Sequence, residues 1–148
     1  MIDGLTRPRW ADHGVGLMLA VAWFTVLMQT SQQVGIPRDE SFYFQAADNK
    51  ARWFERMADP QVESFSPKEI ERAFKYNAEH PVLMKLLFGA SHLVFHQKLG
   101  WVSDPVAAYR LPTMALAALA LWLAWLLGVM IQGRVAGLVA ALALAFMP

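Results

Sequence analysis

The residues best suited to chemistry stand between two long apolar stretches. Arg38-Asp39-Glu40 sets two carboxylates side by side, with Tyr43 close behind. A carboxylate so placed can take a proton from an attacking hydroxyl or anchor a polar substrate. The same pair also fits an Asp helix cap with a Glu in the first turn, offsetting the helix dipole, and spacing alone favours that bland alternative. His92 and His96 have the i, i+4 spacing of a metal pair. No Glu accompanies them as in a His-Glu-x-x-His helix, so a solvated polar stripe is the stronger reading. Glu79-His80-Pro81 has the form of a helix start with Pro in the first turn. Arg110 stands at the mouth of an apolar run, as an interfacial anchor or as a phosphate ligand. With no cysteine in the chain, disulfides, thiolate zinc sites and cysteine nucleophiles are excluded. No Gly-rich phosphate loop or Ser-His-Asp set is present.

The elements that must position these residues follow from the hydropathy pattern. The chain has 148 residues, 56% of them hydrophobic and 17% charged, with a net charge of +1. This composition argues against disorder and against a nucleic-acid-binding domain. Outside the stretch Arg38–Arg110 the charged residues are Asp3, Arg7, Arg9, Asp12 and Arg134 alone. From Gly14 to Pro37 there is no charge, long enough for a first transmembrane helix over 12–34. A cleaved signal peptide competes with this reading, but no small-x-small cleavage site follows Met28. A second uncharged run, Leu111–Gly133, predicts a transmembrane helix over 110–132. A soluble core helix seldom runs that far without a charge. A third apolar run, 135–148, is too short to span untilted and reads as a truncated third span, so that the chain is the N-terminal piece of a longer membrane domain. Placing Arg7, Arg9 and Arg134 in the cytoplasm puts the loop 35–109 outside.

That loop is too long to lack structure. Three short helices are expected in it. One runs over 40–57, with Phe42, Ala46, Trp53 and Phe54 on an apolar side, and ends at Asp59-Pro60. One opens with Ser66-Pro67-Lys68-Glu69, a capping box with Pro at the first helical position, and continues to Glu79. One runs over 81–97, where Lys85, His92 and His96 fall on one narrow stripe. The expectation is an interfacial helix with that stripe facing water or a cavity, rather than a third span, because a lysine and two histidines at bilayer depth are costly. Trp10, Trp101 and Tyr109 fit an aromatic belt.

The order of these parts resembles the start of a GT-C-type membrane glycosyltransferase, within the protein O-mannosyltransferase and aminoarabinose-transferase group. The resemblance rests on Arg38-Asp39-Glu40-Ser41-Phe42-Tyr43 after a first span, Glu79-His80-Pro81-Val82-Leu83-Met84-Lys85, Tyr109-Arg110-Leu111-Pro112 entering a second span, and a Gln132-Gly133-Arg134 turn into a third. Val82 stands where the family pattern has a second Pro. The resemblance implies an all-α membrane protein. It implies inverting transfer of a sugar from a polyprenyl-phosphate donor to an extracytoplasmic acceptor hydroxyl, at a bacterial inner membrane. Asp39 would be the base and Glu40 would position it. Arg38, Tyr43, His80, Lys85 and Arg110 would contact substrate, with Arg110 holding either the loop or the lipid phosphate. No resident cofactor is implied with certainty, and a divalent cation is left open. A non-enzymatic membrane protein with a helical cap is the alternative of another class.

The cysteine-free background permits a direct test of orientation. Single cysteines at Asp59 and Glu63 should react with an impermeant thiol reagent added outside intact cells, and one at Arg134 should not. The reverse labelling pattern would invert the topology.

Overall fold

The structure, a computed structural model, describes residues 7–147. Its elements are α1 (Trp10–Thr30), α2 (Arg38–Met57), α3 (Pro67–Phe74), α4 (Val82–Ser91), a π-helical segment His92–Lys98, α5 (Pro105–Gln132) and α6 (Arg134–Ala145). No strand occurs among the described residues. The chain divides into two compact units, Met1–Gln29 with Thr113–Pro148, and Thr30–Pro112.

The first unit gathers most of α1, the body of α5, and α6. Its centre is Leu121, Trp125, Val129 and Ala141, with Val15, Leu19, Trp23 and Trp122 packed around them. Asp12, inside α1, is 3% exposed. Its carboxylate accepts from the Arg9 amide at 2.8 Å and from Arg134 Nε at 2.7 Å, and its carbonyl accepts from Trp125 Nε1 at 2.8 Å. Arg9, Asp12 and Arg134 thus share one end of this unit, where the Arg9 amide and the Arg134 guanidinium both meet the buried carboxylate. Elsewhere the apolar side chains point outward. In the most apolar windows of α1 and α5 only 17% and 33% of the residues are buried. A soluble core helix buries most of its apolar surface, so this outward display belongs with membrane contact, and both helices are long and apolar enough to cross a bilayer. Gly133, at φ 83°, makes the break between α5 and α6 in a conformation that other residues rarely adopt. The expected third span over 135–148 appears as the 12-residue α6, and Pro148 lies outside the described residues.

The second unit is built on α2. Its buried face is Ala46, Ala47, Lys50 and Ala51; of the expected apolar side Ala46 is buried and Trp53 and Phe54 are half-buried, while Phe42 is 43% exposed. The alanines let α4 approach closely. A Cβ on Gly89 would come within 3.2 Å of both the Ala47 carbonyl carbon and the Ala51 amide nitrogen. The expected capping box holds in half. Ser66 accepts from the Glu69 amide at 3.4 Å, while the Glu69 carboxylate turns instead to Arg56 Nε at 2.9 Å. Helix α3 stops at Phe74, short of the expected Glu79, because the chain turns through Asn77 at φ 57°. The helix expected over 81–97 is continuous but changes register at His92.

Two bounds of the apolar helices also move. Helix α1 ends at Thr30, not at 34, and α5 begins at Pro105, not at 110. Asp104 sets the earlier start by accepting from the amides of Val106 at 3.1 Å and Ala107 at 3.2 Å. Pro112 lies inside α5 and leaves the carbonyl four residues back, that of Ala108, without its helical donor. Ser91 of α4 supplies the missing partner, its hydroxyl donating to Ala108 O at 2.7 Å. Removing that hydroxyl strands a buried carbonyl. Ser91→Ala should therefore cost about 1–3 kcal/mol, read as a lowered thermal midpoint in detergent, and an unchanged midpoint would deny the bond its role.

Candidate functional site

Arg110 organises the start of α2. Its Nε donates to Glu40 Oε1 at 2.7 Å and its Nη2 to Glu40 Oε2 at 2.6 Å. The remaining Nη hydrogens go to the carbonyls of Ser31 at 2.7 Å, Val34 at 3.1 Å and Gly35 at 2.9 Å. A guanidinium has five N–H donors, and here each has an acceptor. The arrangement is that of a loop holder, the first of the two roles expected for Arg110. Binding a phosphate would require breaking one of these bonds. Glu40 is likewise engaged through both oxygens. The preceding residue continues the seam, since the Tyr109 hydroxyl donates to Asp48 and its ring stacks on Phe44 at 4.4 Å. Glu40, Phe44 and Asp48 recur at i, i+4 and i+8, so one face of α2 rests on Tyr109 and Arg110. Tyr109 is 7% exposed and does not join an aromatic belt.

Asp39 lies off this seam. It is exposed, and the helix cap expected of it is absent, for Pro37 occupies the cap position and no side chain caps the helix. Proline fixes the backbone before the first turn and leaves Asp39 two positions past the cap, too deep to serve as one. Tyr43 follows it by one turn, its ring 5.4 Å from that of His80. Arg38 and His80 are exposed. Of the expected site residues, the fold thus presents Arg38, Asp39, Tyr43 and His80 on accessible surface and ties Glu40 and Arg110 together beneath them. Next to the held loop is a cavity of about 440 Å³ lined by Ser31, Gln32, Val34, Gly35, Ile36, Asp104 and Val106, a volume in the range of small-molecule sites.

Lys85 sits elsewhere. It is fully buried and donates to the carbonyl and side-chain oxygens of Asn77. The stripe of Lys85, His92 and His96, expected to face water or a cavity, is corrected in part: Lys85 and His92 are buried against Asn77 and Tyr109, while His96 is half-buried. Lys50, which the sequence reading passed over, is also fully buried. It donates to Ala73 O at 3.1 Å, in the last turn of α3, and lies 5.1 Å from the centre of the Phe74 ring. A cation at a helix C-terminus and over an aromatic face is favoured on both counts. Burial nonetheless pushes the Lys50 amine down to about 8, with the nearby Lys85 charge adding to the shift. Burial lowers Lys85 as well, against the opposing pull of Glu79. The signal for Lys50 was its place among Ala46, Ala47 and Ala51 on a small-residue helix face.

Among the described residues no group of three or more His, Asp or Glu side chains is placed to share a metal ion. The His92 and His96 rings stack nearly parallel, 20° apart, instead of converging. The fork on Arg110 invites a direct test. Arg110→Lys keeps the charge but cannot reproduce the paired bonds. Amide exchange over 31–40 should quicken, with about 1–3 kcal/mol of stability lost, whereas unchanged exchange there would mean the loop is held by something else.

Comparison with known protein families, with curated proteins and with solved structures returns no match to this chain.

Proposed function

We propose that this chain works in a membrane glycosyltransferase of the GT-C type, which moves a sugar from a polyprenyl-phosphate donor to a hydroxyl outside the cytoplasm. The observation that carries the reading is Asp39: an exposed carboxylate without a capping role, one residue from a carboxylate that is clamped. In this mechanism the acceptor oxygen attacks the anomeric carbon from the face opposite the phosphate. The bond from that carbon to the phosphate oxygen breaks, the polyprenyl phosphate leaves with the electron pair, and Asp39 takes the hydroxyl proton. Glu40 and Arg110 act as positioning residues by fixing the turn that presents Asp39. Arg38 is an exposed cation next to it for a phosphate oxygen, and Tyr43 with His80 offers an aromatic and polar edge for the sugar. Helices of spanning length on either side in sequence would hold this site at the membrane surface, where a lipid-linked donor must be met.

A second reading, a non-enzymatic membrane protein with a helical cap, draws on the intramolecular engagement of Glu40, Lys85 and Arg110. One substitution separates the two. Asp39→Asn keeps the side-chain size and removes the base. Sugar transfer in membranes bearing the intact gene product, normalised to folded protein, should fall by about 10²–10⁴, with Glu40→Gln milder. Transfer near the wild-type level would remove Asp39 from catalysis.

A further inference from the structure

Four rings stack through the second unit: Phe44 on Tyr109 at 4.4 Å, Tyr109 on His92 at 4.0 Å, and His92 on His96 at 5.0 Å, with interplanar angles of 15°, 13° and 20°. His92 opens the π-helical segment, whose last amide reaches back five residues, Leu99 N to Val94 O at 2.9 Å. Such wide turns are rare and recur at functional positions. Here the turn lays a buried imidazole against α5. His92 Nδ1 is 3.9 Å from Asp48 Oδ1 and 3.5 Å from Gln97 Nε2. Asp48 is already the acceptor of the Tyr109 hydroxyl. His96 Nδ1 meets Val102 O at 2.8 Å, which makes that nitrogen the one bearing hydrogen.

Asp48 therefore lies between two donors, the phenol and the imidazole. A neutral His92 leaves it to Tyr109, and a cationic His92 competes for it at close range. The charged and titratable groups facing the imidazole are Asp48 from α2, Tyr109 from α5 and His96 from its own segment, while Arg52 of α2 acts on Tyr109. A positive charge on His92 would face His96 across a 5.0 Å stack, and a second proton there would add repulsion.

We propose that His92 is a proton-responsive latch: taking up a proton from water moves Asp48 from the Tyr109 hydroxyl to the imidazolium and loosens the grip of α5 on α2. Burial, opposed by Asp48 and aided by His96, holds the His92 imidazole below its usual 6.5. The unfolded imidazole thus binds its proton first. Stability from this joint is complete above about 6.5 and falls as the pH drops below it.

Two measurements test the latch on the whole chain in detergent micelles. Histidine ring NMR titration should place His92 below 6.5. Amide exchange over 92–98 and 106–111, corrected for the intrinsic pH effect, should rise several-fold between pH 7.5 and 5.5. His92→Phe keeps a stacking ring and removes the titration, so its exchange should hold level while His96→Phe retains the response. The latch is overturned by a His92 midpoint at or above 6.5, by wild-type exchange that ignores pH, or by an undiminished response in His92→Phe. The NMR arm needs no variant and stands even where a substitution fails to fold.

Discussion

The arginine at position 110 is the constraint on which the second unit depends. A guanidinium removed from bulk water must find acceptors for five donors. Arg110 finds them in one carboxylate and three backbone carbonyls. Those carbonyls belong to the segment Ser31–Gly35, which links α1 to α2. One side chain thus holds the connection between α1 and α2 against Glu40 in the first turn of α2. Its paired bonds also give α2 a defined rotation, which a point charge could not do.

The rotation decides what α2 buries and what it shows. With Glu40, Phe44 and Asp48 on Tyr109 and Arg110, the alanine face meets α4 and the opposite side is left to solvent. Asp39 then falls outside the seam by the 100° that separates neighbouring helical residues. Its neighbour is fixed and Asp39 is open, although the two are chemically alike. The proposed division between a base and a positioning carboxylate grows from this contrast.

Buried cations recur through the same unit and obey one rule. Lys50 meets the last turn of α3, and Lys85 meets the turn beyond it. The Lys50 ammonium satisfies a carbonyl in the last turn of α3, and Lys85 holds the carbonyl and side-chain oxygens of Asn77 beyond it. The lysines join α2 and α4 to the C-terminal end of α3 without any carboxylate, which explains how an eight-residue helix with a single fully buried residue, Ala73, is held in place. In the first unit Asp12 and Arg134 meet the same need by pairing.

Much of the architecture was written in composition and period. Uncharged runs around Val15–Met28 and Leu111–Gly133 marked two helices long and apolar enough to span a bilayer. Ser66-Pro67 marked the start of α3, and Asp39-Glu40 stood out as paired carboxylates. What only the tertiary structure decided was the direction of polar side chains. Lys85 and His92 read as part of a stripe facing water or a cavity because helical spacing shows that residues share a face, not what that face meets. Their partners, Asn77 and Tyr109, come from other segments, as do those of Lys50. Glu40 and Asp39 are equivalent in sequence and became distinct only when Arg110, 70 residues away, chose one of them. Local pattern reports periodicity and caps. Which buried donor meets which acceptor depends on contacts between distant segments, and the fold alone brings those together.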